Sequence, residues 1–392
     1  MDMQWMKRID RFAGYPLGGA LRLHAALAGG RERPVPLAPD AARIAVVKFW
    51  GMGSLILAAP VFYALRASFP RAEIHLVTLS QNRRIVELMG LADRLHLLKL
   101  PPGPVGIGRN IVAFFRQLRD LQLDAVIDLE YLSRFSAIAS YLTRAPVRVG
   151  FHSWDIGRGN LHTVRRAFNP YWHVTENFLN LHRALAGAEA PPTPVRFRVS
   201  AEEDAEAAKK LAAAGIAAGV RFIAMNPNAS TMALARRWPV ESFVRLIDRI
   251  EERGLGPVAL LGSPEEEAYV ERVRVRTRAP GRTVNLAGRL QLAELIGVLK
   301  RAALLVTNDS GPLHLADALG TPTVSFFGPE TPTLFGPRGD RHRVLYRGID
   351  CSPCINIYNA KTVRCMRSEP ECLTGIGVDE ALAAVEQALE AR

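Results

Sequence analysis

Short apolar runs of four or five residues alternate along the chain with longer segments whose apolar positions recur every three to four residues. Ile44–Lys48, Glu73–Val77, Ala125–Leu129, Phe222–Asn226, Val258–Leu261, Leu304–Thr307 and Thr323–Phe327 read as strands, and Ile56–Ser68 reads as one of the helices between them. Such alternation predicts an α/β chain of parallel sheets with helices on both faces. A stretch rich in Ala, Gly and Pro at Ala186–Pro194 interrupts the pattern. We therefore expect an N-terminal extension over 1–40, a first Rossmann-like domain over 41–187, a linker over 188–194 and a second Rossmann-like domain over 195–392.

The segment Asn308-Asp309-Ser310-Gly311-Pro312-Leu313-His314 joins two of these strand patterns and carries the clearest chemistry. Pro312 suits a first helical turn and Gly320 a helix end. Free N–H groups at a helix start beside the carboxyl edge of a parallel sheet hold phosphate. His314, one turn in, is placed to donate to a diphosphate, while Asp309 and Ser310 either cap the helix or hold a sugar hydroxyl. Plain strand–loop–helix architecture is the alternative reading.

The run Asp309 to Ala316, the following Ala318-Leu319-Gly320-Thr321-Pro322-Thr323-Val324, and Phe327-Gly328-Pro329 resemble the donor-binding segment of glycosyltransferase family 9, the bacterial heptosyltransferases. The resemblance extends over about residues 43 to 385. It implies a GT-B fold with two parallel sheets facing across a cleft, and a final helix, Val378–Leu389, packing back on the first domain. It also implies an inverting, metal-independent transferase. The donor would be a nucleotide-diphosphate sugar, with ADP-heptose favoured, and the acceptor a lipopolysaccharide core or other glycolipid.

In the first half, Val47-Lys48-Phe49-Trp50-Gly51-Met52-Gly53-Ser54 resembles the family's opening loop. Gly51 and Gly53 let backbone approach a ligand, Ser54 is expected to cap the helix, and Lys48 lies in the same loop. At position 54 many heptosyltransferases carry an aspartate proposed as catalytic base, and a serine hydroxyl has no comparable basicity near neutral pH. The replacement is sought in Asp128-Leu129-Glu130, where an apolar strand ends in carboxylates. Glu130 is the candidate base and Asp128 the second choice, with Arg134 orienting the base or binding an acceptor phosphate. Alternatively, Asp128 and Glu130 cap the next helix and pair with Arg134.

In the second half, Ser230 and Thr231 offer hydroxyls to a diphosphate, and Arg236 matches by spacing the basic residue that the family places before Trp-Pro. An Arg there would neutralise charge on the leaving phosphate. Trp238 is expected to pack, and Arg237 to be a solvated neighbour. Glu266 corresponds to the family's acidic residue at ribose or base, although three acids in a first turn also suit the helix dipole alone. Cys351, Cys354, Cys365 and Cys372 have spacing that fits structural zinc, with free thiols as the alternative. No cofactor is required by the expected reaction.

Composition narrows the partners. A formal charge of +12 favours anionic ligands, and the absence of zinc-finger, helix-turn-helix or RNA-binding signatures argues against nucleic acid. With no run of about 20 apolar residues and no leader-like start, a cytoplasmic protein is expected. Trp5, Met6, Ile9, Phe12, Leu17 and Leu21 interleave with Lys7, Arg8, Arg11 and Arg22, which suits peripheral contact with an anionic membrane or an extension docked on the first domain. Gly14, Pro16, Gly18 and Gly19 are expected to break any long helix there. A sugar-nucleotide epimerase and a catalytically degenerate binder of nucleotide sugar or glycolipid are the competing readings, the latter prompted by Ser54.

Overall fold

The computed structural model describes residues 14–27, 35–101, 103–131, 133–153, 157–190, 193–229, 231–356 and 365–390. It divides into two units, Met1–Val195 and Arg196–Arg392. In the first, β1 (Arg43–Val47), β2 (Glu73–Leu79), β3 (Arg94–Leu98), β4 (Ala125–Asp128), β5 (Val147–Phe151) and β6 (Val164–Arg166) form a parallel sheet of order β3-β2-β1-β4-β5-β6. Ile44, Ala45, Val46 and Val47 are all fully buried, as a strand covered on both faces must be. The covering helices are α1 (Gly14–Leu27), α2 (Met52–Ser68), α3 (Arg83–Met89), α4 (Pro104–Arg119), α5 (Arg134–Leu142) and α6 (Val174–Ala186).

The second unit repeats the plan. It contains α7 (Ala201–Ala213), β7 (Ile223–Asn226), α8 (Val240–Glu252), β8 (Val258–Leu260), α9 (Glu267–Arg274), β9 (Thr283–Asn285), α10 (Leu292–Arg301) and β10 (Leu304–Asn308). Then follow α11 (Gly311–Leu319), β11 (Thr323–Phe327), α12 (Pro332–Phe335), β12 (His342–Tyr346), α13 (Glu371–Thr374) and α14 (Val378–Glu390). Its sheet order, β12-β11-β10-β7-β8-β9, is the same doubly wound order read from the other edge. Trp238 anchors this core: it is fully buried, stacks on Phe326 with centroids 4.3 Å apart, and donates its indole N–H to the Ile376 carbonyl at 3.1 Å. The packing role expected for Trp238 is the one found.

One local expectation is corrected. Gly14, Pro16, Gly18 and Gly19 do not prevent a helix, because α1 runs through all four. Pro16 falls in its first turn, where a missing N–H breaks no intrahelical bond, and Gly18 is buried facing Ile138 of α5. His24 and Tyr141 share a 2.7 Å hydrogen bond, so this helix docks on the first unit. Residues 1–13, which carry most of the basic and aromatic pattern, lie outside the described residues. The final helix, α14, buries Ala381, Leu382, Ala384, Val385, Ala388 and Leu389 within the second unit's own core. Among the described residues no helix is long and apolar enough to cross a membrane.

Candidate active site

In each doubly wound sheet the connections from the two central strands, β1 with β4 and β7 with β10, run to opposite sides, and the loops at their carboxyl ends frame the crevice where such folds bind ligands. Lys48, Ser54, Asp128 and Glu130 lie at the first of these edges, and Asp309, Ser310, Gly311 and His314 at the second.

In the first unit β1 ends at Val47 and delivers Lys48, Phe49 and Trp50 to the residues that follow β4. Glu130 Oε1 accepts from Lys48 Nζ at 2.7 Å, from the Phe49 N–H at 2.7 Å and from the Trp50 N–H at 3.0 Å. Lys48 is 1 % exposed and Glu130 3 %. A loop that in other doubly wound proteins would offer its N–H groups to phosphate here offers them to an internal carboxylate. Glu130's main chain is held as firmly: its N–H donates to Asp128 Oδ1 at 3.0 Å and its carbonyl accepts from Arg158 Nη1 at 2.6 Å. Oε2 is the one polar atom of Glu130 without a protein partner among the described residues.

Ser54 is not the helix cap. Gly51 takes that position in the left-handed region, φ +81°, without a side-chain bond, and Ser54 lies in the first turn of α2 with Oγ 3.5 Å from the Tyr131 hydroxyl. Ser54 therefore stands beside the residue that follows Glu130. Gly53 is buried in the same turn.

Asp128 is a different kind of carboxylate. It is fully buried, and Oδ2 accepts from Arg158 Nη2, from Ser136 Oγ at 2.9 Å and from His162 Nε2–H at 3.2 Å. Although burial opposes it, the Arg158 and His162 contacts hold its carboxyl below the usual range. Neither acid caps α5, because Ser133 does so by accepting from the Ser136 N–H. The guanidinium paired with Asp128 is that of Arg158, while Arg134 occupies the start of α5, half-buried.

His162 reaches Asp128 only because residue 150, opposite Asp128 on β5, is glycine. A Cβ there would lie 2.5 Å from His162 Nε2. Gly150→Ala is thus expected to lower stability by about 1–3 kcal/mol, the range for overpacking a filled core, measured as a shift in urea midpoint. Burial also pushes the His162 and His96 imidazoles down to about 4 from 6.5. Between those values the unfolded chain binds protons that the folded chain refuses, so stability falls as pH drops from 6.5 to 4. Urea midpoints across this window should fall for the native chain and fall less steeply for His96→Gln.

In the second unit, β7 ends at Asn226 and β10 at Asn308. Asn308 Oδ1 accepts the Trp238 N–H at 2.9 Å, and Nδ2 donates to the Pro227 and Asn228 carbonyls at 3.0 Å each, tying three loops together. Ser310 precedes α11 in extended backbone but does not cap it: its hydroxyl lies 2.9 Å from Thr307 Oγ1 and 3.1 Å from Asn226 Nδ2. Gly311 and Pro312 open the helix, and His314 is buried one turn in.

Arg236, at the end of a six-residue 3-10 helix, lies 3.1 Å from Asp309 Oδ2 and 3.2 Å from Glu330 Oε2. The Asp309 contact is an ion pair without the alignment of a hydrogen bond, so Oδ2 keeps the capacity to accept from a hydroxyl. Arg237 is not simply solvated, because its guanidinium stacks over Tyr269 at 4.1 Å. Glu266 closes a capping box by accepting the Ser263 N–H at 2.9 Å, which engages one of its oxygens in structure. Ser230 and the side chain of Thr231 lie outside what the structure describes.

Cys351, Cys354, Cys365 and Cys372 line one cavity of about 210 Å³ together with Ile349 and Met366. All four are free thiols, and burial beside the other three raises Cys372 to about 11. Among the described residues no three Cys, His, Asp or Glu side chains are grouped to hold a metal ion, so the donor arrangement lends the zinc reading no support.

Sequence reading assigned no role to Arg158, Ser136, His162, Asn226, Asn308 or Glu330. The two asparagines did leave a signal, since each ends an apolar strand with an amide. Arg158 left none, being set in a loop of no recognisable pattern.

Comparison with known proteins follows the same lines. The model of glycosyltransferase family 9 (heptosyltransferase) matches residues 111–362. Lipopolysaccharide heptosyltransferase 2 of Escherichia coli (strain K12) is 23% identical over 299 residues, 75% of this chain and 85% of that protein. The crystal structure of the glycosyl transferase family 9 protein from Veillonella parvula superposes with a TM-score of 0.75 at 21% identity, covering 91% of this chain and 99% of that one. E. coli heptosyltransferase WaaC, solved with ADP-2-deoxy-2-fluoro heptose, superposes with a TM-score of 0.62 at 19% identity over 88% of this chain and 99% of that one. The two-unit α/β architecture is thus that of GT-B heptosyltransferases.

Proposed function

The chain belongs to glycosyltransferase family 9 (heptosyltransferase), and from that premise we propose that it transfers heptose from ADP-heptose to the core of a lipopolysaccharide-type acceptor, with inversion and without a metal. The relative with a bound ADP-heptose analogue and the curated lipopolysaccharide heptosyltransferase support the donor and acceptor classes.

The observation that carries the reading is the fixation of Glu130, whose N, O and Oε1 are all held while Oε2 remains available. Glu130 takes the proton from the acceptor hydroxyl as that oxygen attacks the anomeric carbon. The bond from that carbon to the donor phosphate breaks, and ADP leaves with the electron pair. Ser54, beside Tyr131, leaves room at the position of the family's usual aspartate. Lys48, Gly51 and Gly53 shape this acceptor loop, and Arg134 serves an acceptor phosphate. Asp128, sealed from solvent, holds Glu130 and takes no proton.

On the donor side, Arg236, the Ser310–Gly311 helix start and His314 stabilise the diphosphate as charge develops, a role metal fills elsewhere. Ser230 and Thr231 offer hydroxyls to the same diphosphate, as their place in the sequence suggests. Asp309 accepts from a sugar hydroxyl, and Glu266 faces the nucleoside with its second oxygen. The exposed Leu17, Leu23 and Leu27 of α1 bring the enzyme to an anionic bilayer at the cytoplasmic face.

The test is release of ADP from ADP-heptose with and without a heptose-deficient lipopolysaccharide acceptor. Acceptor-dependent release is the expected result. Interconversion of the donor without acceptor would favour an epimerase, and donor binding without release under either condition would favour a degenerate binder.

A further inference from the structure

We propose that Arg158 is a positioning residue for the transfer reaction: it clamps the backbone at Glu130 and so sets the direction of Oε2. This rests on the reading of Glu130 as base.

The side chain of Arg158 is fully buried. Nη1 donates to the carbonyls of Glu130 at 2.6 Å, Tyr131 at 3.0 Å and Phe151 at 3.2 Å, while Nη2 is bonded to Asp128. The last ladder bond of β4's extension is Leu129 N–H to Val47 O at 3.0 Å. Beyond that point the sheet no longer holds the chain, and Arg158 with Asp128 takes over. Asp128 holds the N–H of Glu130 and Arg158 its carbonyl. Ser136 Oγ and the His162 Nε2–H fix Asp128 in turn.

A sheet core gains little from such a pair, since desolvating two charges offsets much of their attraction. What hydrophobic residues in their place would not supply is a fork whose Nη1 grips two successive carbonyls at the edge where the base stands while Nη2 holds Asp128. Arginine's planar fork does this, whereas lysine would keep a charge for Asp128 but lose the two-carbonyl grip.

The experiment measures kcat, donor KM and ADP binding for Arg158→Lys, Ser136→Ala, Glu130→Gln and the double variants with Glu130→Gln, using ADP-heptose and the truncated lipopolysaccharide. Arg158→Lys is expected to lower kcat by about 10- to 100-fold, the scale of a misplaced reacting group, with ADP affinity unchanged. Ser136→Ala, which keeps the ion pair and the fold, should show the same pattern at smaller amplitude. In the Glu130→Gln background both losses should disappear, because there is no base left to position. Losses that persist at full size in that background would overturn the clamp while leaving the base reading intact. A Glu130→Gln enzyme as fast as the native one would overturn the base reading itself. If Arg158→Lys does not fold, the Ser136→Ala cycle decides alone.

Discussion

Glu130→Gln is expected to lower kcat for sugar transfer by about 10²- to 10⁴-fold, the contribution of a positioned general base. Gln keeps a carbonyl oxygen where Oε1 accepts from Lys48, Phe49 and Trp50, so the loop keeps its hydrogen bonds and ADP affinity should be unaltered, while loss of the charge facing Lys48 lowers the urea midpoint. The amide has no useful basicity, and the acceptor's proton then has nowhere to go. A truncation such as Glu130→Ala would be a poorer test: both changes take the counter-charge from Lys48, 1 % exposed, but Ala also removes the acceptor shared by Lys48, Phe49 and Trp50, and should destabilise the unit by about 3–5 kcal/mol. Steady-state rates read beside a urea melt separate the chemical loss from any structural one. Equal rates for native and Gln enzymes would remove Glu130 from the mechanism.

Arg236→Gln should reduce kcat/KM by about 10²- to 10³-fold, as expected when a group that stabilises developing charge is removed. A second consequence follows from its surroundings. Arg236 contacts both Asp309 and Glu330, whose side chains are 5% and 1% exposed, and without the guanidinium two buried carboxylates lose the cation they share. Stability of the second unit should fall by about 3 kcal/mol near neutral pH, and lowering the pH should recover part of it by protonating one acid. Arg236→Lys retains the charge and should recover stability more completely than activity, since one ammonium cannot serve both acids and a phosphate in the same geometry. Thermal melts at two pH values with kcat/KM for both variants would check this.

How far the fold was legible follows the burial of each strand. Central strands such as Ile44–Val47 and Leu304–Thr307 are apolar throughout because helices cover both faces, and they stand out in the sequence. Edge strands do not: Arg94–Leu98 and His342–Tyr346 are partly solvated, carry Arg and His, and escape a search for apolar runs. β5 lies inside the sheet yet was not among the runs read as strands, because Arg148 and Gly150 interrupt its apolar character. Gly150 is there for a tertiary reason, room for His162, that no local pattern encodes.

The donor edge was legible through the Asp-Ser-Gly-Pro-Leu-His run, since strand, loop and helix start are contiguous. Glu330 and Arg158 were not, because each reaches its partner across a long sequence separation: 94 residues from Arg236 and 30 from Asp128. Asp128 and Glu130 show the limit most clearly. Two residues apart on one strand end, they look alike in sequence. Tertiary contacts make one a sealed ion-pair partner and leave the other an oxygen to offer.

The most direct measurement of the central claim is mass analysis of a heptose-deficient lipopolysaccharide core after incubation with ADP-heptose and the native or Glu130→Gln protein, in buffer containing a metal chelator. The account predicts acceptor gaining one heptose with the native protein and release of an equal amount of ADP, with both nearly abolished in the variant. An acceptor of unchanged mass with native protein that binds ADP-heptose, or transfer that survives intact in the variant, would contradict it.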